Sequence, residues 1–167
     1  HVYGMHNWPG LPVGSFAVCT GPMMASADFF ELTLKGRGGH GAFPHLAKDP
    51  IVAAAHVITA WQTIVSRDTD PMKAAVISAC EIDSGFTGNV IPETAVIRGT
   101  TRTFNEGVQD MIEKRMREVA EGIAQAFDMQ ATFTYDRRYA PTVNTPDETG
   151  YAVAAARAIV GEDNVDE

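Results

Sequence analysis

The sequence predicts an α+β fold, a ferredoxin-like β-α-β-β-α-β sandwich with a four-stranded antiparallel sheet and two helices on one face. Three observations carry this prediction. Between Asp28 and Tyr135, stretches of period-2 alternation and stretches of helical periodicity follow one another as strand, helix, strand, strand, helix, strand. Each helical stretch has a side chain suited to cap it, Asp49 ahead of Pro50 in the first and Asn105 in the second. Glycine-containing turns, Gly36 to Gly41 and Asp83 to Asn89, separate the elements.

Taken in order, residues 1–26 are short apolar pieces broken by turns. Pro9 and Pro12 exclude a helix there, and Gly14 to Val18 and Thr20 to Pro22 read as fragments of strand and turn. From Asp28 to Lys35, Phe30, Leu32 and Leu34 alternate with Phe29, Glu31, Thr33 and Lys35, which is a half-buried strand. A loop in which three glycines lead into His40, and a second histidine closes it, follows: Gly36-Arg37-Gly38-Gly39-His40-Gly41-Ala42-Phe43-Pro44-His45. A helix from Asp49 to Arg67 then carries Ile51, Ala54, Ala55, Ile58, Trp61, Gln62 and Val65 on its apolar face, with His56 off that face.

Strands are expected at Lys73 to Ile82 and at Thr94 to Phe104. The second helix carries Val108, Met111, Ile112, Met116, Val119, Ile123 and Ala126 on one stripe, and a last strand covers Ala131 to Tyr135. Beyond Pro141, Thr145-Pro146-Asp147-Glu148 reads as a capping box opening an Ala-rich helix that ends near Val160. That helix belongs to no β-α-β-β-α-β unit. Residues 27–139 are therefore expected to form the sandwich, inserted in an α/β domain of which only residues 1–26 and 140–167 are in the chain.

Hydrophobic content of 45% with 20% charged residues describes a globular chain, and a net charge of −8 leaves no basic footprint for nucleic acid. No apolar run approaches the ~20 residues needed to span a bilayer, so no membrane partner is expected. The two cysteines, Cys19 and Cys80, lie far apart and read as buried small hydrophobes in a reduced, cytoplasmic protein.

The candidate functional residues sit in loops and at strand ends. The glycine-histidine loop is held between a strand and a helix, which is a way to present a group; it is also compatible with a turn that merely contains histidines. It lacks the Lys-Ser/Thr of a phosphate loop, so His40 rather than the glycines is the chemical candidate, as a donor to a developing oxyanion. His6 is a candidate metal ligand, although the Cys, His or carboxylate partners that a metal needs are not visible. Asn89 is either a turn residue or an amide that reads a carboxylate. Arg102 is either a surface arginine or a bidentate carboxylate grip. The sequence reading sets His40, Asn89 and Arg102 on one face.

Several blocks together resemble a known family. Gly4-Met5-His6-Asn7-Trp8-Pro9-Gly10-Leu11-Pro12-Val13-Gly14, Gly21-Pro22-Met23-Met24-Ala25, Lys35 to His45, Asp49-Pro50, Gly88-Asn89-Val90-Ile91-Pro92 and Gly99-Thr100-Thr101-Arg102-Thr103-Phe104 occur in order. They are similar to blocks of N-acyl-amino-acid amidohydrolases of the hippurate hydrolase and indole-acetyl-amino-acid hydrolase type, which are aminoacylase-like relatives of dinuclear metallopeptidases.

The resemblance implies a catalytic domain with two divalent metal ions (zinc, manganese, nickel or cobalt) and an inserted lid that forms a homodimer. It implies a metal ligand at His6 and, at His40, a lid histidine that stabilises the tetrahedral intermediate, often in the partner subunit's site. Asn89 and Arg102 correspond to groups that bind the free carboxylate of an N-acyl amino acid, and His45 is a further residue of the loop motif on the substrate side. The upstream Cys/His block, the paired glutamates and the last metal-ligating histidine of the family have no counterpart here. The expectation is therefore a lid with stubs of the catalytic domain, binding no metal and inactive alone. The competing expectation is a stand-alone ferredoxin-like dimerisation module without catalysis.

Overall fold

The computed structural model describes all residues from His1 to Glu167. The strands are β1 (Phe16–Ala17), β2 (Gly21–Met24), β3 (Ala27–Lys35), β4 (Gly39–His40), β5 (Ala75–Asp83), β6 (Val90–Ile91), β7 (Thr94–Thr103), β8 (Gln130–Tyr139), β9 (Thr142–Asn144) and β10 (Val165–Asp166). The helices are α1 (Pro50–Thr63), α2 (Glu106–Ala126) and α3 (Pro146–Val160). They form two compact units, one of residues 26–140 and one of residues 1–25 with 141–167.

The larger unit is a four-stranded sheet in the order β5-β7-β3-β8, with every neighbouring pair antiparallel. Its long elements run β-α-β-β-α-β, as periodicity predicts. Phe30, Leu32 and Leu34 of β3, Ala95 and Ile97 of β7 and Phe133 of β8 share one buried cluster with Ala53, Val57 and Trp61 of α1 and Ile112 and Met116 of α2. Both helices therefore cover the same face, and the opposite face carries the polar half of the alternation. Trp61 is fully buried; its Nε1 donates to the Met116 carbonyl at 3.0 Å, and its ring meets Phe30 edge-on at 5.0 Å. Donation into a carbonyl lets a buried indole keep its hydrogen bond. Gly99 is required by close approach, because a Cβ there would lie 2.0 Å from the Ser78 carbonyl oxygen and 2.5 Å from Phe30 Cζ.

The caps behave as the residue types require. Asp49 Oδ1 accepts from the Ile51 amide at 2.9 Å, and Asn105 Oδ1 accepts from Val108 at 3.2 Å. Helix α1 ends in a π-helical turn, Ile64–Asp68, closed by the Thr69 amide on the Ile64 carbonyl at 3.0 Å.

Four expectations are corrected. The buried face of α1 is Ala53, Ala54, Val57 and Trp61, while Ile51 and Val52 are exposed: in a helix apolar nearly all round, hydropathy does not select the face, and small residues admit closer approach to the sheet. In α2, Ala120 and Ala124 are buried and Ala126 is exposed. Strand β8 continues past Tyr135 to Tyr139, because Arg137 is paired with Asp110 and Glu113 of α2 and the charged run suits a sheet edge. Cys19 and Cys80 are both exposed free thiols, Cys80 at the bulge where β5 slips register against β7.

In the smaller unit, β1 pairs with β10 in parallel and β2 with β9 antiparallel, and α3 buries Thr149, Val153 and Ala156. The capping box does not form. The Thr145 hydroxyl donates to the Glu148 carboxylate instead of accepting from the helix amides. That bond, ahead of the Glu148 backbone amide, lowers the Glu148 pKa. No helix is long and apolar enough to cross a membrane.

Candidate functional site

Beyond the last β3–β7 pair, Lys35 with Thr94, the two central strands run on as a narrow ribbon. The Gly36 amide donates to the Glu93 carbonyl at 2.9 Å, Gly39 pairs with Ile91, His40 pairs with Val90, and the Gly41 amide donates to the Asn89 carbonyl at 2.8 Å. The glycines are what let the backbones meet here. A Cβ on Gly38 or Gly41 would come within 3.0 Å of the Ile91 and 3.1 Å of the Asn89 carbonyl oxygen on the opposing segment. The ribbon thus joins two loops separate in sequence and sets His40 and Asn89 in neighbouring registers.

His40 is exposed, and its Nδ1 accepts a hydrogen bond from the Ala42 amide at 3.0 Å. An acceptor Nδ1 carries no proton, so the neutral ring holds its proton on Nε2, which is a donor facing away from the turn. Asn89 is likewise exposed; its Oδ1 accepts from the Thr87 hydroxyl at 3.3 Å, which leaves Nδ2 to donate outward. His45 lies in the 3₁₀ turn Pro44–Leu46, exposed and without a hydrogen bond. The Phe43 ring stands between the two imidazoles, 5.5 Å from His40 and 6.2 Å from His45. The signal for Phe43 in the sequence is its place between the two histidines.

Arg102 is not part of this group within one chain. It lies one residue past the Thr101–Asp28 pair, at the far end of β7, on the sheet face away from the helices. The steps from Thr94 to Arg102 cover roughly 26 Å of extended strand, and the ribbon lies further on still. The single-face arrangement of His40, Asn89 and Arg102 is therefore not what one chain builds.

At its own end of the sheet the Arg102 guanidinium is held by neutral oxygens. Its Nη1 donates to the Thr101 carbonyl at 2.8 Å, to the Thr100 hydroxyl and, at 3.5 Å, to the Asp28 carbonyl, while Nε and Nη2 have no partner in the chain. Arg98 on the same face is the contrast. It donates to Glu31 and to Glu81, each at 2.6 Å, and these bonds raise its pKa. Arg98 is neutralised; Arg102 keeps an unpaired positive charge. Phe29 lies beside it, with the Arg102 guanidinium 5.8 Å and the Arg138 guanidinium 4.5 Å from the ring centre. The register explains this: Phe29 faces Thr100 on β7 and Asp136 on β8, and each arginine is two residues further along its strand. No local sequence pattern marks Phe29 or Arg138, because the flanking depends on cross-strand register.

His6 is exposed in a segment without regular structure, well before the first strand at Phe16. Nowhere in the chain do three or more His, Cys, Asp or Glu side chains gather as a metal site requires. The residues present do not compose a metal centre, and His6 offers a single donor.

Residues 26–128 match the M20 family described as a peptidase dimerisation domain. An N-acetyldiaminopimelate deacetylase of Streptococcus gordonii is 45% identical over 149 residues, covering 89% of this chain and 40% of the relative. An N-acetylcysteine deacetylase of Bacillus subtilis is 41% identical over 164 residues, covering 98% of this chain and 43% of the relative. A solved dinuclear metal-binding peptidase of the M20 family from Bacillus subtilis superposes with a TM-score of 0.71 at 36% identity, covering 93% of this chain and 38% of that one. The chain thus spans about two fifths of the length of the proteins it matches. With well over half of its residues in the matched domain, the chain belongs to the M20 peptidase dimerisation-domain family.

Proposed function

We propose that this chain is the dimerising, substrate-covering part of an M20 amide hydrolase that releases a carboxylic acid and a free amino acid from an N-acyl amino acid. The observation that carries the reading is the fixed tautomer of His40, an outward Nε2–H donor on a ribbon that the sheet holds in place. A preorganised donor of this kind stabilises the oxyanion of a tetrahedral intermediate in amide hydrolysis. Asn89 and the unpaired Arg102 are the donors for the substrate's free carboxylate, and His45 borders the same loop. The names of the relatives favour an acetyl group over the benzoyl group of hippurate as the acyl part. Two divalent metal ions, supplying the hydrolytic chemistry when bound, would need further ligands beside His6, the one donor this chain offers them.

The geometry adds a condition. An N-acyl amino acid spans on the order of 7 Å from acyl carbonyl to carboxylate. His40 and Arg102 of one chain, separated by far more than that, cannot grip the same molecule. In this reading His40 and Asn89 of one subunit meet Arg102 of the other in a two-fold dimer. The β5 edge supports such pairing, because it exposes Val76 and Ile82, whereas the opposite edge β8 is blunted by Asp136, Arg137 and Arg138.

The test uses the complete gene product with N-acetyl amino acids and hippurate. His40→Ala is expected to lose turnover, and Arg102→Ala to lose most of its turnover of an N-acetyl amino acid at a substrate concentration below KM. Co-expressed in equal amounts, they should recover about a quarter of wild-type turnover, since half the dimers are mixed and each mixed dimer rebuilds one intact site. No recovery, with the mixed dimer demonstrably formed, refutes the shared site. Undiminished turnover in the His40→Ala variant refutes the oxyanion role.

A further inference from the structure

We propose that Asp28 is a positioning residue for Arg102, acting through the thickness of the sheet; this rests on the reading above in which Arg102 binds the substrate's carboxylate. Asp28 is fully buried and has no Lys, Arg or His partner. Its carboxylate accepts from the Ser26 hydroxyl at 2.9 Å, from Gln109 Nε2 at 2.9 Å on both oxygens, and from one of the Tyr135 and Thr101 hydroxyls, which lie 3.3 Å and 3.5 Å away. Thr101 and Tyr135 are also hydrogen-bonded to each other. Four elements converge on this group: β7, β8, α2 and the entry to β3.

A carboxylate taken out of water without a cation is costly even when fully hydrogen-bonded, and apolar residues of similar volume commonly fill such a space at no loss of stability. The cluster is therefore better understood as setting geometry than as adding stability. The geometry it sets lies on the other face of the sheet. Asp28 and Thr101 are directly paired between β3 and β7. Their side chains point into the cluster, and their carbonyl oxygens receive Arg102 Nη1. The Thr100 hydroxyl, the third oxygen holding that nitrogen, is itself fixed by donating to the Asp28 carbonyl at 2.7 Å. The buried bonds thus fix the main chain whose oxygens orient the guanidinium, leaving its Nε–Nη2 edge free for a bidentate carboxylate.

The experiment compares kcat/KM of the complete enzyme for an N-acetyl amino acid and for the matching N-acetyl amine that lacks the carboxylate. Wild type, Arg102→Ala, Asp28→Asn and Tyr135→Phe are assayed beside their thermal midpoints. Arg102→Ala should bring the ratio of the two values close to one. Asp28→Asn should lower the ratio about tenfold through KM of the acid substrate, with kcat nearly unchanged. Tyr135→Phe should lower it less, and it decides the matter if Asp28→Asn fails to fold. Variants that lose thermal stability but keep the wild-type ratio would overturn the proposal and make the cluster purely structural. An unchanged ratio in Arg102→Ala would overturn the carboxylate reading itself, and the positioning role with it.

Discussion

The Ala42 amide donates to Nδ1 of His40 at 3.0 Å, so a backbone group two residues away decides which ring nitrogen of the candidate catalytic residue carries the proton. The consequence is testable without touching the imidazole. Ala42→Pro removes the only N–H that can make this bond. In the complete enzyme it should lower kcat by about tenfold, against the 10²–10³-fold loss typical of deleting an oxyanion donor and expected here for His40→Ala, as measured by steady-state kinetics. Equal losses in the two variants would mean that the proline had displaced the loop rather than freed the tautomer.

Gly99 tests the packing of the sheet against α1. In Gly99→Ala the added methyl meets the Ser78 carbonyl oxygen and the Phe30 ring, and a carbonyl within the β5–β7 ladder cannot rotate away. Overpacking of this kind costs about 1–3 kcal/mol, and the backbone clash puts the expectation at the upper end. Urea unfolding of the chain should show a lower midpoint with an unchanged slope.

Tyr135 supplies the pH dependence. Burial, the largest influence, pushes its hydroxyl pKa up to about 12; the Thr101 hydrogen bond opposes this, and the neighbouring Asp28 adds to the rise. The sign follows from linkage. Below the ordinary tyrosine pKa of about 10, folded and unfolded chains both hold the proton, and the stabilisation is intact. Between that value and about 12 the unfolded chain ionises first, so stability falls as pH rises. Tyrosinate absorbance should show a late-titrating component that vanishes in Tyr135→Phe.

Dimerisation through the β5 edge predicts that Val76→Lys and Ile82→Lys, each placing a charge on an exposed apolar position, weaken self-association. Sedimentation velocity should show a shift to the monomer with an unchanged far-ultraviolet spectrum. A Lys substitution at Asp136 on the β8 edge should leave the dimer intact.

What the sequence determined by itself is local. The alternation of Phe30, Leu32 and Leu34, the caps at Asp49 and Asn105 and the order of the elements are written in spacings of two to four residues, and all of them appear in the structure. Local pattern was less able to select a face of α1, where Ala53 and Val57 rather than Ile51 are buried, or to expect Cys80 at the surface beside a register slip. Everything that defines the candidate site depends on pairing between distant segments. The β4–β6 ribbon joins His40 to Asn89; the β3–β7 register carries Arg102 to the opposite end of the sheet and sets Phe29 beside it; and Asp28, which reads in sequence as the polar start of a strand, becomes the centre of a buried cluster. A residue's own neighbours encode which way it faces along a strand. Which strand lies opposite, and in which register, is decided only when the whole core packs.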